Sequence, residues 1–122
     1  MNNWISRHCL NLAVLMFATG VANAQQATER YIPIGKSPGV AGEESFIGTI
    51  TDIDYTVHKM EIRGTDKRIT VSPVESTRYY LDRTKKKMSN QTATFRDCEV
   101  GLKVEIRIKS DGSVDWIKIE SG

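Results

Sequence analysis

Apolar and polar residues alternate in short bursts along most of this chain, with a period of two rather than 3.6. Residues 46–54 (FIGTITDID) are rich in β-branched side chains and predict a first strand. Ile50 and Ile53 stand three apart, on opposite faces if alternation were strict. A β-bulge between them would return both to the core. Gly48, in the same run, would admit a close approach or a sharp bend. Residues 58–64 (HKMEIRG) place Met60 and Ile62 on one face and Lys59, Glu61 and Arg63 on the other. Tyr55, Thr56 and Val57 would connect this run to the first strand as a hairpin. Gly64-Thr65-Asp66-Lys67 reads as a turn into residues 68–72 (RITVS), with Ile69 and Val71 inward. Pro73 has no amide hydrogen to give a neighbour, so it ends that strand or marks an edge. Residues 77–81 (TRYYL) form a further short strand, with Tyr79 and Leu81 on one face and Tyr80 on the other.

Residues 82–94 (DRTKKKMSNQTAT) are polar and read as a loop with room for one helical turn. The cleanest alternation follows. Val104, Ile106 and Ile108 interleave with Lys103, Glu105, Arg107 and Lys109, and Gly101 lets the chain turn into this strand. Asp111-Gly112 is a strong hairpin signal. Residues 114–120 (VDWIKIE) make the last strand, where adjacent Trp116 and Ile117 require a bulge or burial on both faces. About six short strands with turn signals between them and no convincing helix predict an all-β fold. The expected form is a small antiparallel barrel, closed or partly open and OB-like. Closure suits a domain this small, because open sheet edges invite pairing with other chains. No internal repeat is visible.

The N-terminus has a different character. Residues 1–8 carry one cation, Arg7; residues 9–18 are mostly apolar; Ala22-Asn23-Ala24 then supplies the small residues a signal peptidase needs. Residues 1–24 therefore read as a cleaved secretory signal, and the protein is expected to be periplasmic or secreted. The apolar run is too short for a hydrocarbon core, which takes about 20 apolar residues to span, so no transmembrane segment is expected in the mature chain. Residues 25–44 hold Pro33, Pro38, Gly35, Gly39 and Gly42 and show no periodicity. They read as an extended leader or linker before a domain at 45–122. Tyr31, Ile32, Ile34 and Val40 could dock part of this leader on the domain or on a partner, but its proline and glycine content predicts a segment mobile relative to the domain.

Charge narrows the choice of partner. Lys and Arg number 17 against 15 Asp and Glu, and only Arg7 leaves with the signal. A near-neutral exported protein is not a general polyanion binder, which argues against nucleic acid. Cys9 falls within the signal, so Cys98 is the one mature cysteine and no intramolecular disulfide can form. It is either a small buried apolar residue, a link between chains or a reactive thiol. Burial is the expectation.

Three runs carry a resemblance: Gly48-Thr49-Ile50-Thr51-Asp52-Ile53-Asp54, then Met60-Glu61-Ile62, then residues 97–106 (DCEVGLKVEI). Together they resemble small exported bacterial domains of unknown function with the pattern G-x-V-x-x-V-D, a hairpin, and D-L-x-V-G-x-x-V-E-V. The likeness covers residues 45–120 and implies an OB-like barrel. Cys98 stands where leucine is commoner. The likeness rests on turns and core positions and brings no catalytic residue with it.

The sharpest chemical feature is a basic run, Arg83, Lys85, Lys86 and Lys87, with Arg78 just upstream. Beside Tyr79 and Tyr80 it would combine cations with stacking faces, a combination OB-type barrels use for oligosaccharides and single strands. Trp116 is either core or an exposed anchor. The expected function is a non-enzymatic binding module for a partner protein or an anionic or glycan ligand, with Tyr79, Tyr80, Arg83, Lys85, Lys86, Lys87 and Trp116 as candidate contacts. No cofactor is read from the sequence, and the oligomeric state is open. The alternative is a small cation-binding protein or enzyme centred on Asp52, Asp54 and His58. Asp52 and Asp54, with Glu61 across the hairpin, would give a weak oxygen-ligand site. His58 and Cys98 alone cannot complete a zinc site within one chain.

Overall fold

The computed structural model describes residues 29–121, so the expected signal sequence and its cleavage site lie outside the described residues. Seven strands form one sheet: β1 (Glu44–Asp54), β2 (Lys59–Arg63), β3 (Arg68–Val71), β4 (Arg78–Asp82), β5 (Gln91–Thr92), β6 (Lys103–Ile108) and β7 (Val114–Glu120). Their order is β3-β2-β1-β6-β7-β4-β5. No helix of the described residues is long and apolar enough to cross a membrane. The all-β class is as expected, but the antiparallel barrel is corrected on two points. The sheet is mixed, because β4 runs parallel to β7. It is also not closed: β3 and β5 are left as edges. Alternation tells which face a residue takes and says nothing about which strand lies beside it. The parallel pairing was therefore invisible to it, and β5, two residues long, is too short to alternate at all.

The sheet is nonetheless strongly curved. From β3 to β4 is five strand spacings, roughly 24 Å across a flat sheet. The seven residue steps from Val71 to Arg78 reach about that far only when fully extended. They are not extended, since the Thr77 amide folds back onto the Val74 carbonyl at 3.0 Å. The sheet must roll to bring β4 within reach, and its concave side encloses the core. Ile50, Ile62, Val71, Val104, Ile106, Ile117 and Ile119 meet there, with Phe95 and Cys98 from the β5–β6 connection.

Two bulges set which residues face that core. One interrupts β1 between Ile50 and Asp52, so that Ile50 pairs with Ile62 and Ile53 with Met60, all toward the same side. The second lies opposite the Arg107–Ile108 step, where Asp115 is the extra residue. It turns Val114 inward while Trp116 stays on the other face. Trp116 and Ile117 are thus both buried, on opposite sides of β7.

Cys98 is fully buried and free. Burial, aided by the Asp97 charge, pushes its thiol up to about 12. A thiol kept protonated and out of solvent is a poor nucleophile. Labelling by a thiol reagent is expected to stay slow until the protein unfolds, followed by mass shift in native buffer and in urea. Rapid native labelling or a covalent dimer on a non-reducing gel would contradict the burial.

Candidate functional site

The basic run does not build the surface expected of it. Thr84–Lys86 is a single 3₁₀ turn, started where the Asp82 carboxylate accepts the Thr84 amide at 2.9 Å. The Arg83 Nε donates to the Ser89 carbonyl at 2.6 Å, and Lys85 pairs with Glu120. Lys86 and Lys87 are exposed. Tyr79 packs against the core, edge-on to Phe95 at 6.4 Å, and burial with the nearby Cys98 pushes its hydroxyl up to about 12. Tyr80 is buried on the opposite face of β4. Neither tyrosine offers an exposed face beside the lysines, since Tyr79 packs on the core and Tyr80 is buried on the other side of the strand.

The acidic alternative is likewise dispersed. The Asp54 carboxylate accepts the amides of Thr56 and Val57, closing the β1–β2 turn. Asp52 accepts the amide of Ile53. Glu61 pairs with Arg68 at 3.3 Å. His58 stacks on Phe95 with ring centroids 4.6 Å apart. Among the described residues no group of three or more His, Cys, Asp or Glu is placed to hold a metal ion.

The concentration of chemistry lies on the convex face of the sheet, where alternation had pointed to solvent. Glu105, Arg107 and Lys118 are 2%, 3% and 0% exposed. Residues 29–43 cover them, so the leader, expected to be mobile relative to the domain, is instead docked on it. The strap is fastened along its length. Lys118 Nζ donates to the Glu29 carboxylate and to the Ser37 hydroxyl, each at 2.6 Å. Asp82 accepts the Ile34 amide and Glu105 accepts the Gly35 amide, each at 3.0 Å. Glu105 also accepts the Ser45 hydroxyl at 2.5 Å. Arg107 donates to the Pro38 carbonyl at 2.9 Å and stands 3.6 Å from Glu43. Charges this deep are held only when hydrogen-bonded and paired. Burial alone would raise the Glu29 carboxyl, but its hydrogen bonds from Lys118 and Ser37 outweigh it and hold the group below its ordinary value. Asp82 is also held low: burial works upward, and the Thr84 hydroxyl and the Ile34 and Thr84 amides work downward more strongly.

Between strap and sheet lies a crevice of about 190 Å³, lined by Glu29, Val40, Glu43, Arg78, Arg107, Asp115 and Trp116. The Trp116 ring is its most buried aromatic surface, 3% exposed, with the Arg107 guanidinium 5.3 Å and the Lys118 ammonium 4.4 Å from its centre. Arg78 donates one nitrogen to Asp115 at 2.8 Å. Its Nη1, and the Nε of Arg107, are buried without a hydrogen-bond partner. A buried donor left unpaired costs on the order of 1–3 kcal/mol.

Of the residues singled out from sequence, Trp116 belongs to this crevice, and Arg78 enters it from the upstream end of the basic run. Arg107 and Asp115 were missed because polar residues in alternation read as a solvated face, and Glu29 and Glu43 because they lie in a leader without periodicity. One signal was present. The outward positions of β6 and β7 mix charge signs with a tryptophan, and Glu105 pairs with Lys118 as Arg107 does with Trp116. A leader less polar than an ordinary linker, with Tyr31, Ile32, Ile34 and Val40, precedes them. In comparison with known proteins, no family model, curated protein or solved structure matches this chain.

Proposed function

We propose that the protein is an exported, non-enzymatic binding module of the cell envelope, periplasmic or secreted, and that it takes its ligand in the crevice between the strap and strands β4, β6 and β7. The observation that carries this reading is the open crevice of about 190 Å³ that brings Arg78, Glu43, Asp115 and Trp116 together between strap and sheet. Such a site is a small concavity with a few convergent polar groups, the usual form of a binding pocket. The signal-like residues 1–24 support export.

Capture from envelope extract tests the reading with three baits. Glu43→Gln with Asp115→Asn alters the crevice at two part-exposed acids. Changing Lys85, Lys86 and Lys87 to Gln alters the basic turn and is expected to leave the melting temperature nearly unchanged, since surface substitutions usually act within about 0.5 kcal/mol. The crevice bait is expected to lose the captured material and the loop bait to retain it. Equal capture by wild type and crevice bait would remove the crevice from the function, and loss confined to the loop bait would return the site to Lys86 and Lys87. Intact mass of the exported protein tests the leader: a mass that retains residues 1–24 would overturn the localisation.

A further inference from the structure

We infer a second binding site, for a phosphate group, free or as a monoester, on the part of the convex face that the strap leaves open. Thr49 of β1 pairs with Arg63 of β2 on one side and with Lys103 of β6 on the other. Arg63 pairs in turn with Arg68 of β3. Directly paired residues share a face, so one row across four strands reads Arg68, Arg63, Thr49, Lys103. Like charges set opposite each other cost stability. Glu61 relieves Arg68 at 3.3 Å, whereas Arg63 and Lys103 have no ion-pair partner among the described residues. Both are exposed. The other acids near the row are engaged elsewhere: Glu105 by the Gly35 amide and the Ser45 hydroxyl, Glu120 by Lys85.

The row borders a hollow. β2 ends at Arg63 while β1 runs back to Glu44, and the chain leaves β2 through Gly64 and Thr65. The step opens a space of about 460 Å³ whose polar side chains are Thr49, Arg63, Thr65 and Lys103; among the described residues that line it, none is acidic. It shares no residue with the crevice under the strap. Arg63 and Lys103 stand two strand spacings apart, about 10 Å between backbones, so their side chains flank one guest above Thr49. A cation is repelled from both sides, and a neutral guest leaves both charges uncompensated. An anion compensates both through charge-assisted hydrogen bonds, the strong kind. A phosphate with three terminal oxygens accepts from Arg63, Lys103 and a threonine hydroxyl in diverging directions and brings up to two charges. A carboxylate brings one charge and two oxygens in one plane. The volume corresponds to about fifteen waters at ~30 Å³ each, room for a phosphate and part of what carries it.

The test titrates isotope-labelled protein with inorganic phosphate and with acetate, followed by NMR at the Arg63 Nε–H and the amides of Thr49, Gly64 and Thr65. Sedimentation with phosphatidylcholine vesicles that contain phosphatidic acid, a monoester, or phosphatidylglycerol, a diester, reads a lipid source. Saturable shifts with phosphate that acetate does not reproduce are the result expected for the free anion. Stronger binding to phosphatidic acid than to phosphatidylglycerol assigns the phosphate to a lipid headgroup, and either result supports the site. Arg63→Gln with Lys103→Gln should lower the affinity by at least about tenfold, the loss of one or more charge-assisted hydrogen bonds, while the backbone spectrum shows the fold retained. Affinity should also fall as salt rises. Lys86→Gln with Lys87→Gln removes the same charge from the basic turn and should leave the affinity unchanged. Equal weakening by the two pairs, or an equal response to acetate, would overturn the inference. So would an absence of phosphate shifts together with vesicle binding that is either missing or indifferent to the anionic lipid. None of these outcomes bears on the crevice, whose capture experiment turns on Glu43 and Asp115.

Discussion

A Gly48→Ala chain is expected to lose about 3 kcal/mol or more of its folding stability. An alanine Cβ at this position would lie 2.4 Å from the Arg63 carbonyl oxygen, and 2.8 Å from both the Arg63 carbonyl carbon and Ile62 Cγ2. Two of these three atoms are backbone of β2, which pairs with β1 through Ile50–Ile62 and Thr49–Arg63. Rotating a side chain cannot relieve the clash; β2 has to move away from β1, and Ile62 and Met60 move with it out of the core. Overpacking a core typically costs about 1–3 kcal/mol and sometimes more, and displacement of a paired strand belongs at or beyond the top of that range. A domain of this size has only ~5–15 kcal/mol in total. Gly64→Ala is the control. Its nearest contact, at 2.6 Å, is the outer carbon of the Phe46 ring, which can swing aside, so its loss should be clearly smaller. Urea denaturation of the three proteins decides the matter, and a Gly48→Ala loss below about 1 kcal/mol would contradict the close approach of the strands.

The second large effect comes from the strap. Glu29→Ala removes the carboxylate that faces the fully buried Lys118 ammonium. Breaking a buried pair from one side costs about 3–5 kcal/mol, since the remaining charge is left without compensation. Glu29 is itself part-exposed and Ser37 still accepts from Lys118, so about 3 kcal/mol is expected. Adding Lys118→Met should restore most of it, because an apolar chain needs no counterion and its sulfur can rest against the Trp116 ring. If the double variant is no more stable than Glu29→Ala alone, the strap holds the sheet by something other than this pair. Acid reads the same contact. The Glu29 carboxyl is held below its ordinary 4.5, and Asp82 below its ordinary 3.8. A depressed carboxyl stabilises the fold above its unfolded value and loses that contribution as pH falls through the folded one. Wild-type stability should therefore decline as pH drops below about 4.5, and the decline should be shallower in Glu29→Ala.

The concave side of the sheet was legible in the sequence and the convex side was not. Ile50 and Ile53, three apart, called for the bulge that the β1–β2 register shows. Met60, Ile62, Val104 and Ile106 alternated cleanly and are buried. Cys98 is buried as expected, although acids flank it on both sides in sequence. What failed were inferences that need a partner. Glu105, Arg107 and Lys118 sit where alternation places solvent, and only the strap, up to 89 positions away in sequence, makes them interior. The parallel contact of β4 with β7 is another long-range choice that local pattern does not encode. Tyr79 and Tyr80 show the converse error: neighbours in sequence were joined into one surface although a strand separates them by its thickness.

The strap's fastenings also impose an order in time. Glu29, Ile34, Gly35 and Ser37 leave the ribosome early, whereas Asp82, Glu105 and Lys118, to which they bind, follow much later. Chains emerge from the N-terminus at about 5–20 residues per second, so this segment waits for several seconds with nothing to hold it. Its docking is the step that only a nearly complete chain can take. A polypeptide truncated before β7 has no Lys118 for Glu29, and an unfastened strap would distinguish it from the finished molecule to any protease that meets both.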